Sequence, residues 1–159
     1  MDVIIMPSTF SLVKKLRSNY PQFIFKKTDS FLWSHSEKTI FYTDDIGVDS
    51  NNFLFHELSH GLLNHTDYKL DIELITMERK AWDKAKEIAI NYDLLIDDDF
   101  IQSNLDTYRN WLHMRSTCPK CTATGMQIKK NTYKCLVCDN NWRVNEARTC
   151  ALRRYKLEK

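Results

Sequence analysis

Four of the five cysteines form two Cys-x-x-Cys pairs in the last third of the chain, and this pattern limits what that segment can fold into. The four residues are Cys118, Cys121, Cys135 and Cys138. Each pair can form a tight turn that presents two thiolates, and two such turns complete a tetrahedral Zn²⁺ site. Short β-prone segments at 126–128, 132–133 and 142–144 accompany the turns. The pattern therefore predicts a zinc ribbon whose structural zinc is bound as the segment folds.

Two other uses of these cysteines are less consistent with the sequence. A disulfide framework requires an oxidising compartment, and no feature of the chain indicates secretion. Redox chemistry at one Cys-x-x-Cys needs one pair, whereas this chain has two at the spacing of a metal site. Cys150 lies outside both pairs, and the sequence assigns it no role.

The charge distribution divides the chain at about the same place. Residues 111–159 carry eleven Lys or Arg and three Asp or Glu, a net charge of +8, whereas the whole chain has a net charge of +2. The remaining residues are therefore acidic, with a net charge of −6. Such asymmetry indicates two parts with different partners. We predict one domain at 1–114 and a zinc ribbon with a basic tail at 115–159.

The overall composition is that of a globular protein. Hydrophobic residues make up 43% and charged residues 28% of the 159 residues, which excludes a mostly disordered chain. We find neither an apolar run long enough to cross a membrane nor the apolar core of a signal peptide. The expected location is the cytoplasm, without membrane association.

The sequence His56-Glu57-Leu58-Ser59-His60 has the HExxH pattern, and it lies in a predicted helix at 51–63. Residues four apart lie on the same face of a helix, so both imidazoles can bind one Zn²⁺. Glu57 can then accept a proton from a zinc-bound water that attacks a carbonyl group. The alternative is a chance pattern of two packed or solvated histidines. The pattern predicts a catalytic zinc site with Glu57 as the general base.

A catalytic zinc has three protein ligands, and the candidates for the third are His65, Glu73 and Glu78. In a continued helix, His65 would lie about 140° around from His60 and face away. Glu73 shares the solvated face of a predicted helix at 70–91, whereas Glu78 interrupts that helix's apolar stripe. The stripe comprises Leu74, Ile75, Glu78, Ala81, Trp82, Ala85, Ile88 and Ala89. A buried carboxylate needs a cationic partner, which favours zinc at Glu78. The alternatives are a salt bridge to Lys or Arg and a tilt of the chain that exposes Glu78.

With these motifs, the first 113 or so residues resemble the ImmA/IrrE family of zinc metallopeptidases. A predicted strand at 39–43 precedes Asn52-Phe53-Leu54-Phe55, which leads into the His56–His65 segment HELSHGLLNH. The next predicted helix carries Glu-x-x-Ala-x-x-x-Ala, with Glu78 as its first residue. The resemblance implies an α+β, zincin-like core with a small antiparallel sheet, and His56, His60 and Glu78 as zinc ligands.

The same resemblance implies a substrate class. Members of the family are typically encoded by phages and mobile elements, and they cleave or inactivate a partner repressor. We therefore expect a zinc endopeptidase that acts on a regulatory protein, with one catalytic and one structural zinc. Two alternatives remain: a DNA-associated protease of the SprT-like group, which also joins HExxH to a zinc ribbon, and a non-catalytic protein that sequesters its partner.

The basic segment adds a further candidate partner. Lys129, Lys130 and Arg143 could contact phosphates of DNA, with Tyr133 and Trp142 available to stack on bases. Alternatively, both aromatic residues pack the ribbon and the basic residues are solvated. An acidic protein partner would also fit this charge.

Overall fold

The computed structural model describes residues 8–44, 47 and 49–157. These residues contain four α-helices and two small β-sheets, which confirms the predicted α+β class. The chain divides into two compact units. Unit 1 comprises Met1–Thr66 and Arg79–Asp97, and unit 2 comprises Asp67–Glu78 and Asp98–Lys159. These units reflect packing alone, so the functional division at residue 114 stays a prediction.

Unit 1 contains a helix, a three-stranded sheet and the helix that carries HExxH. Its first five elements are α1 (Thr9–Asn19), β1 (Ile24–Lys27), β2 (Leu32–Ser34), β3 (Thr39–Tyr42) and α2 (Ser50–Leu62). Ser8 caps α1 by accepting a hydrogen bond from the Ser11 N–H at 3.3 Å. Leu12, Val13 and Leu16 form the buried side of α1.

The sheet of unit 1 is mixed, so the prediction of an antiparallel sheet is wrong for one strand. β2 and β3 form the predicted antiparallel hairpin, with Trp33 opposite Ile40. β1 pairs with β3 in parallel, and the strand order is β1-β3-β2. Successive strands alternate in direction, but β1 lies beside the third strand instead of the second. This order leaves β2 at one edge of the sheet, and both β2 and β3 contact α2.

The third helix, α3 (Asp71–Ile90), contributes its second half to unit 1. Five of its residues there are at most 3% exposed: Ala81, Trp82, Ala85, Ile88 and Ala89. Their spacing of three and four residues is that of a single helical face. Trp82 contacts Phe53 of α2 edge-on, with ring centroids 6.0 Å apart. Trp82 of this apolar face therefore packs against α2.

Unit 2 consists of the first part of α3, a fourth helix and a four-stranded antiparallel sheet. The new elements are α4 (Asp98–Ser116), β4 (Gly125–Lys129), β5 (Thr132–Cys135), β6 (Asn141–Val144) and β7 (Arg154–Lys156). Their order in the sheet is β4-β5-β6-β7. The first three strands lie where the sequence predicts ribbon strands. β7 was not predicted, because three residues of a charged tail carry no periodic signal.

A buried polar cluster joins α3, α4 and the sheet within unit 2. Asp71 is 1% exposed and Arg115 is fully buried. The Arg115 guanidinium donates to both Asp71 carboxylate oxygens, at 2.6 and 3.1 Å. The Tyr133 hydroxyl donates a short hydrogen bond to the same carboxylate. Burial of the hydroxyl raises the pKa of Tyr133, and this hydrogen bond raises it further. Tyr133 therefore stays protonated and keeps donating, and the start of α3 is fixed to the sheet.

Candidate metal centres

Helix α2 places His56 and His60 on one buried face. His56 is 5% exposed and His60 is 7% exposed. The two Nε2 atoms lie 3.0 Å apart. Two nitrogen ligands of one tetrahedral Zn²⁺, each at about 2.05 Å, are separated by about 3.3 Å. The imidazole pair therefore fits a single metal ion with a shift of a few tenths of an ångström.

Glu78 of α3 lies beside this histidine pair. His56, His60 and Glu78 each offer one ligand atom, and these atoms all lie within 4.8 Å of one another. Glu78 is 5% exposed. It lies one turn before Trp82 on the same continuous helix, and the Trp82 ring stacks on His56 with centroids 4.0 Å apart. The three side chains form a candidate site for a divalent cation.

Glu57 is the partly exposed member of the HExxH segment. Its Oε2 atom accepts a hydrogen bond from the backbone N–H of Trp33, at 2.7 Å. Trp33 belongs to β2, one of the two outer strands of its sheet. The carboxylate is therefore held next to a strand edge, at a position adjacent in sequence to the first histidine. Nothing in the sequence indicated this contact, because it joins residues 24 positions apart through a backbone group.

His65 lies outside the three-residue cluster but touches one of its members. Its Nδ1 atom is 2.8 Å from the Nδ1 atom of His60. Because Nε2 of His60 faces His56, Nδ1 is left to hydrogen-bond with His65, the arrangement that orients metal-binding histidines. The backbone oxygen of His65 accepts from the indole N–H of Trp33 at 3.0 Å. The geometry thus gives His65 the position of a partner of His60.

The remaining candidate for the third ligand, Glu73, has a local role. Its Oε2 atom accepts hydrogen bonds from the N–H groups of Lys69 and Leu70, at 2.7 and 3.1 Å. These bonds lower the pKa of Glu73. The residue is exposed and holds the chain at the start of α3.

Gly61, directly after the second histidine, is packed against two aromatic rings. A Cβ atom there would lie 3.2 Å from atoms of both Phe23 and Trp33. These rings contact each other edge-on at a centroid distance of 5.3 Å. The small residue therefore lets Trp33 approach α2 closely enough for its backbone to reach Glu57.

The four paired cysteines form a second cluster, in unit 2. The Sγ atoms of Cys118 and Cys138 are 3.7 Å apart, and those of Cys121 and Cys135 are 3.4 Å apart. Four sulfur ligands at about 2.3 Å in a tetrahedron would lie about 3.8 Å apart, whereas a disulfide holds its sulfurs at about 2.05 Å. These separations fit one metal ion, and the four cysteines are free thiols here.

Backbone amides surround the cysteine cluster and favour thiolates. The Cys135 Sγ atom accepts from the N–H groups of Val137 and Cys138, both at 3.4 Å. These amides lower the pKa of Cys135. Burial raises the pKa of Cys118, but the N–H groups of Cys121 and Lys120 outweigh it and lower the pKa to about 6. At Cys121, the Ala123 N–H lowers the pKa, but hydrogen bonds with the Cys135 and Cys138 thiols outweigh it and raise the pKa to about 12. The amides therefore favour the thiolate form, which a metal binds, at Cys118 and Cys135.

The basic residues of the ribbon lie on its surface. Lys129, Lys130 and Arg143 are exposed. Tyr133 and Trp142, by contrast, are 1% and 0% exposed and stack on each other with centroids 5.6 Å apart. These two rings form the ribbon core, so they are not available to stack on bases.

No protein-family model, curated protein or solved structure matches this chain. No helix in the described part of the chain combines the length and apolar character needed to cross a membrane. The fold and its side-chain clusters define an α+β protein with two groups of residues that could each hold a metal ion. The first is the His/Glu group on α2 and α3, and the second is the four-cysteine group of the ribbon.

Proposed function

We propose that the protein is a zinc-dependent endopeptidase. The observation that carries this proposal is the buried group of His56, His60 and Glu78, with the half-buried Glu57 next to His56 in the same helix. Two histidines and one carboxylate are a ligand set of catalytic zinc, which needs a fourth, open position. The four-cysteine group has no open position and would hold a structural zinc.

The positions of the residues support a role for each of them. His56, His60 and Glu78 would hold the zinc, which when bound would polarise a peptide carbonyl and acidify water. Glu57 would take a proton from the attacking water at its carboxylate and deliver it to the leaving amine. The Trp33 N–H orients Glu57 before substrate arrives. His65 keeps the His60 ring turned so that Nε2 faces the ligand group.

The edge strand supplies a place for an extended substrate. β2 is an outer strand of its sheet, and its Trp33 N–H is the group that contacts Glu57. A substrate strand added at this edge would run past the general base. The proposed substrate is a regulatory protein such as a phage or mobile-element repressor, and the support for that class is the resemblance of the HExxH and Glu78 segments to the ImmA/IrrE family.

The SprT-like alternative has less support from the geometry. That group uses a third histidine as ligand, whereas the third group here is Glu78 and His65 lies against His60. The sequestration alternative differs from the endopeptidase in its need for a general base. A protein that holds a metal and only binds its partner would not need the Glu57 carboxylate.

The test compares the zinc-loaded wild-type chain with Glu57→Gln on a peptide library made from a digested proteome. Mass spectrometry would identify new cleavage sites, and the zinc content of both proteins would be measured in parallel. We expect cleavage by the wild type, loss of at least a hundredfold in rate for Glu57→Gln, and an unchanged zinc content. Equal cleavage by both proteins, or none by the wild type, would contradict the proposal.

A matched control keeps the test specific to the general base. Glu37→Gln makes the same chemical change at an exposed glutamate of the β2–β3 turn. We expect this variant to cleave like the wild type. A loss equal to that of Glu57→Gln would show that the general-base assignment is wrong.

A further inference from the structure

We infer that the outward face of the ribbon sheet binds single-stranded nucleic acid. This inference goes beyond the proposed peptidase and does not depend on it. The surface consists of Lys129, Lys134, Arg143 and Tyr155, and we refer to it as the cationic face. Every residue of this face belongs to unit 2.

The strand register places these side chains together. Lys129 pairs with Thr132, Thr132 with Arg143, and Arg143 with Tyr155, so one row of neighbours crosses all four strands. In β6, Trp142 and Val144 are buried whereas Arg143 is exposed. Successive residues of a strand point to opposite faces, so Arg143 faces away from the ribbon core. Lys129 and Tyr155 of the same row are exposed as well, whereas Thr132 between them is 3% exposed. Lys134, two residues after Thr132 in β5, points to the same side of the sheet and is exposed.

The cationic face has no opposing charge on its strands. None of the residues of β4, β5, β6 and β7 is Asp or Glu. Lys134 contacts Asp139 at 3.1 Å, but both side chains are largely exposed, at 47% and 84%. Such exposed pairs contribute about 0–1 kcal/mol, so Lys134 can exchange this partner for a phosphate. The charge complements a polyanion.

Tyr155 distinguishes a single strand from other polyanions. Tyr155 is 40% exposed, and the Arg143 guanidinium lies 5.1 Å from the centroid of the Tyr155 ring. An exposed aromatic ring next to a guanidinium offers two planar groups on which an unpaired base can stack. In a duplex, the bases already stack on each other and their faces are covered. An acidic protein offers charge but no planar base to use the ring.

The sequence did not identify this aromatic residue. The two rings that it suggested for stacking, Tyr133 and Trp142, occupy the inner face. Tyr155 lies in β7, which pairs with β6 from the far end of the segment. Its position opposite Arg143 is visible only once the strands are paired.

The experiment measures binding of a labelled oligothymidylate, about 12 nucleotides long, to the zinc-loaded full chain by fluorescence anisotropy at several salt concentrations. With three cations on the face, we expect log K to fall with log salt at a slope of about −2, and Arg143→Gln to reduce that slope by about 0.7. We expect Tyr155→Ala to weaken binding about five- to a hundredfold, and Tyr155→Trp to retain it.

Controls separate this surface from charge in general. Lys15→Gln removes one exposed cation from α1 of unit 1, and we expect its affinity to equal that of the wild type. The zinc content of each variant reports that the ribbon is folded. Duplex DNA that binds as tightly as oligothymidylate with no effect of Tyr155→Ala would overturn the inference. Absence of binding, or tighter binding of polyglutamate than of oligothymidylate, would overturn it as well.

Discussion

The replacement Asp71→Asn removes the negative charge at the centre of the buried cluster in unit 2. In the wild type, this carboxylate accepts two hydrogen bonds from Arg115, a short one from Tyr133 and one from the Gln127 amide at 3.2 Å. The replacement is nearly the same size, so packing changes little. Its main effect is to leave the Arg115 charge buried without its anionic partner.

The expected loss of stability follows from this burial. Arg115 is fully buried and Asp71 is 1% exposed, so neither group can gain water without the cluster opening. Breaking a buried ion pair on one side costs about 3–5 kcal/mol. Arg115 keeps neutral acceptors, including the Glu146 carbonyl at 3.0 Å and the Asn131 side chain at 2.7 Å. These contacts place the expected loss near the lower limit, about 3 kcal/mol.

The assay is a urea titration of the zinc-loaded chain, read by hydrogen–deuterium exchange of peptides from β5 and β6. These strands carry Tyr133 and Trp142, so their exchange reports unit 2 specifically. With a slope of about 2 kcal/mol per molar urea, a loss of 3 kcal/mol lowers the midpoint by about 1.5 M.

The matched control is Asp106→Asn, which makes the same change in an exposed pair with Arg109 (2.8 Å; side chains 60% and 46% exposed). We expect it to change stability by less than about 0.5 kcal/mol. A second variant, Asp71→Leu with Arg115→Met, removes both charges and should recover much of the loss. A change of under 1 kcal/mol for Asp71→Asn would refute the view that this ion pair fixes α3 to the ribbon.

Two further predictions concern single contacts. Replacing His65 with Ala removes the partner of His60 Nδ1, and we expect the zinc affinity of the His/Glu group to fall about 10- to 100-fold in a chelator competition; an unchanged affinity would show that His65 does not orient His60. Replacing Gly125 with Ala places a Cβ atom against the Trp142 ring and 2.9 Å from the Lys134 carbonyl oxygen. We expect a loss of about 1–3 kcal/mol in thermal unfolding, and a melting temperature equal to that of the wild type would contradict this packing.

The parts of the fold that depend on local patterns could be predicted from the sequence. The helical periodicity in the α3 region marked the face that buries Ala81 and Trp82, and the same pattern singled out Glu78. The β2–β3 hairpin and the first three ribbon strands followed from short β-prone segments near turns. Such features involve residues close in the chain, so the sequence records them directly.

The parts that depend on distant pairing could not be predicted. The parallel β1–β3 pair and the short strand β7 are chosen by neighbouring edges that become available only in the folded chain. Asp71 and Arg115 form a buried pair 44 residues apart, and no sequence pattern connects them. The contact of the Trp33 N–H with Glu57 uses a backbone group, which carries no residue-specific signal.

In the proposed function, the His/Glu group and the four-cysteine group each hold one zinc ion. Metal analysis of the purified wild type, Glu78→Ala and Cys135→Ser tests this stoichiometry, with Glu73→Ala as the control because Glu73 is exposed on the same helix as Glu78. We predict about two zinc ions per chain for the wild type and Glu73→Ala, and about one for each of the other two. A Glu78→Ala protein that keeps two zinc ions with unchanged affinity would show that Glu78 is not a zinc ligand.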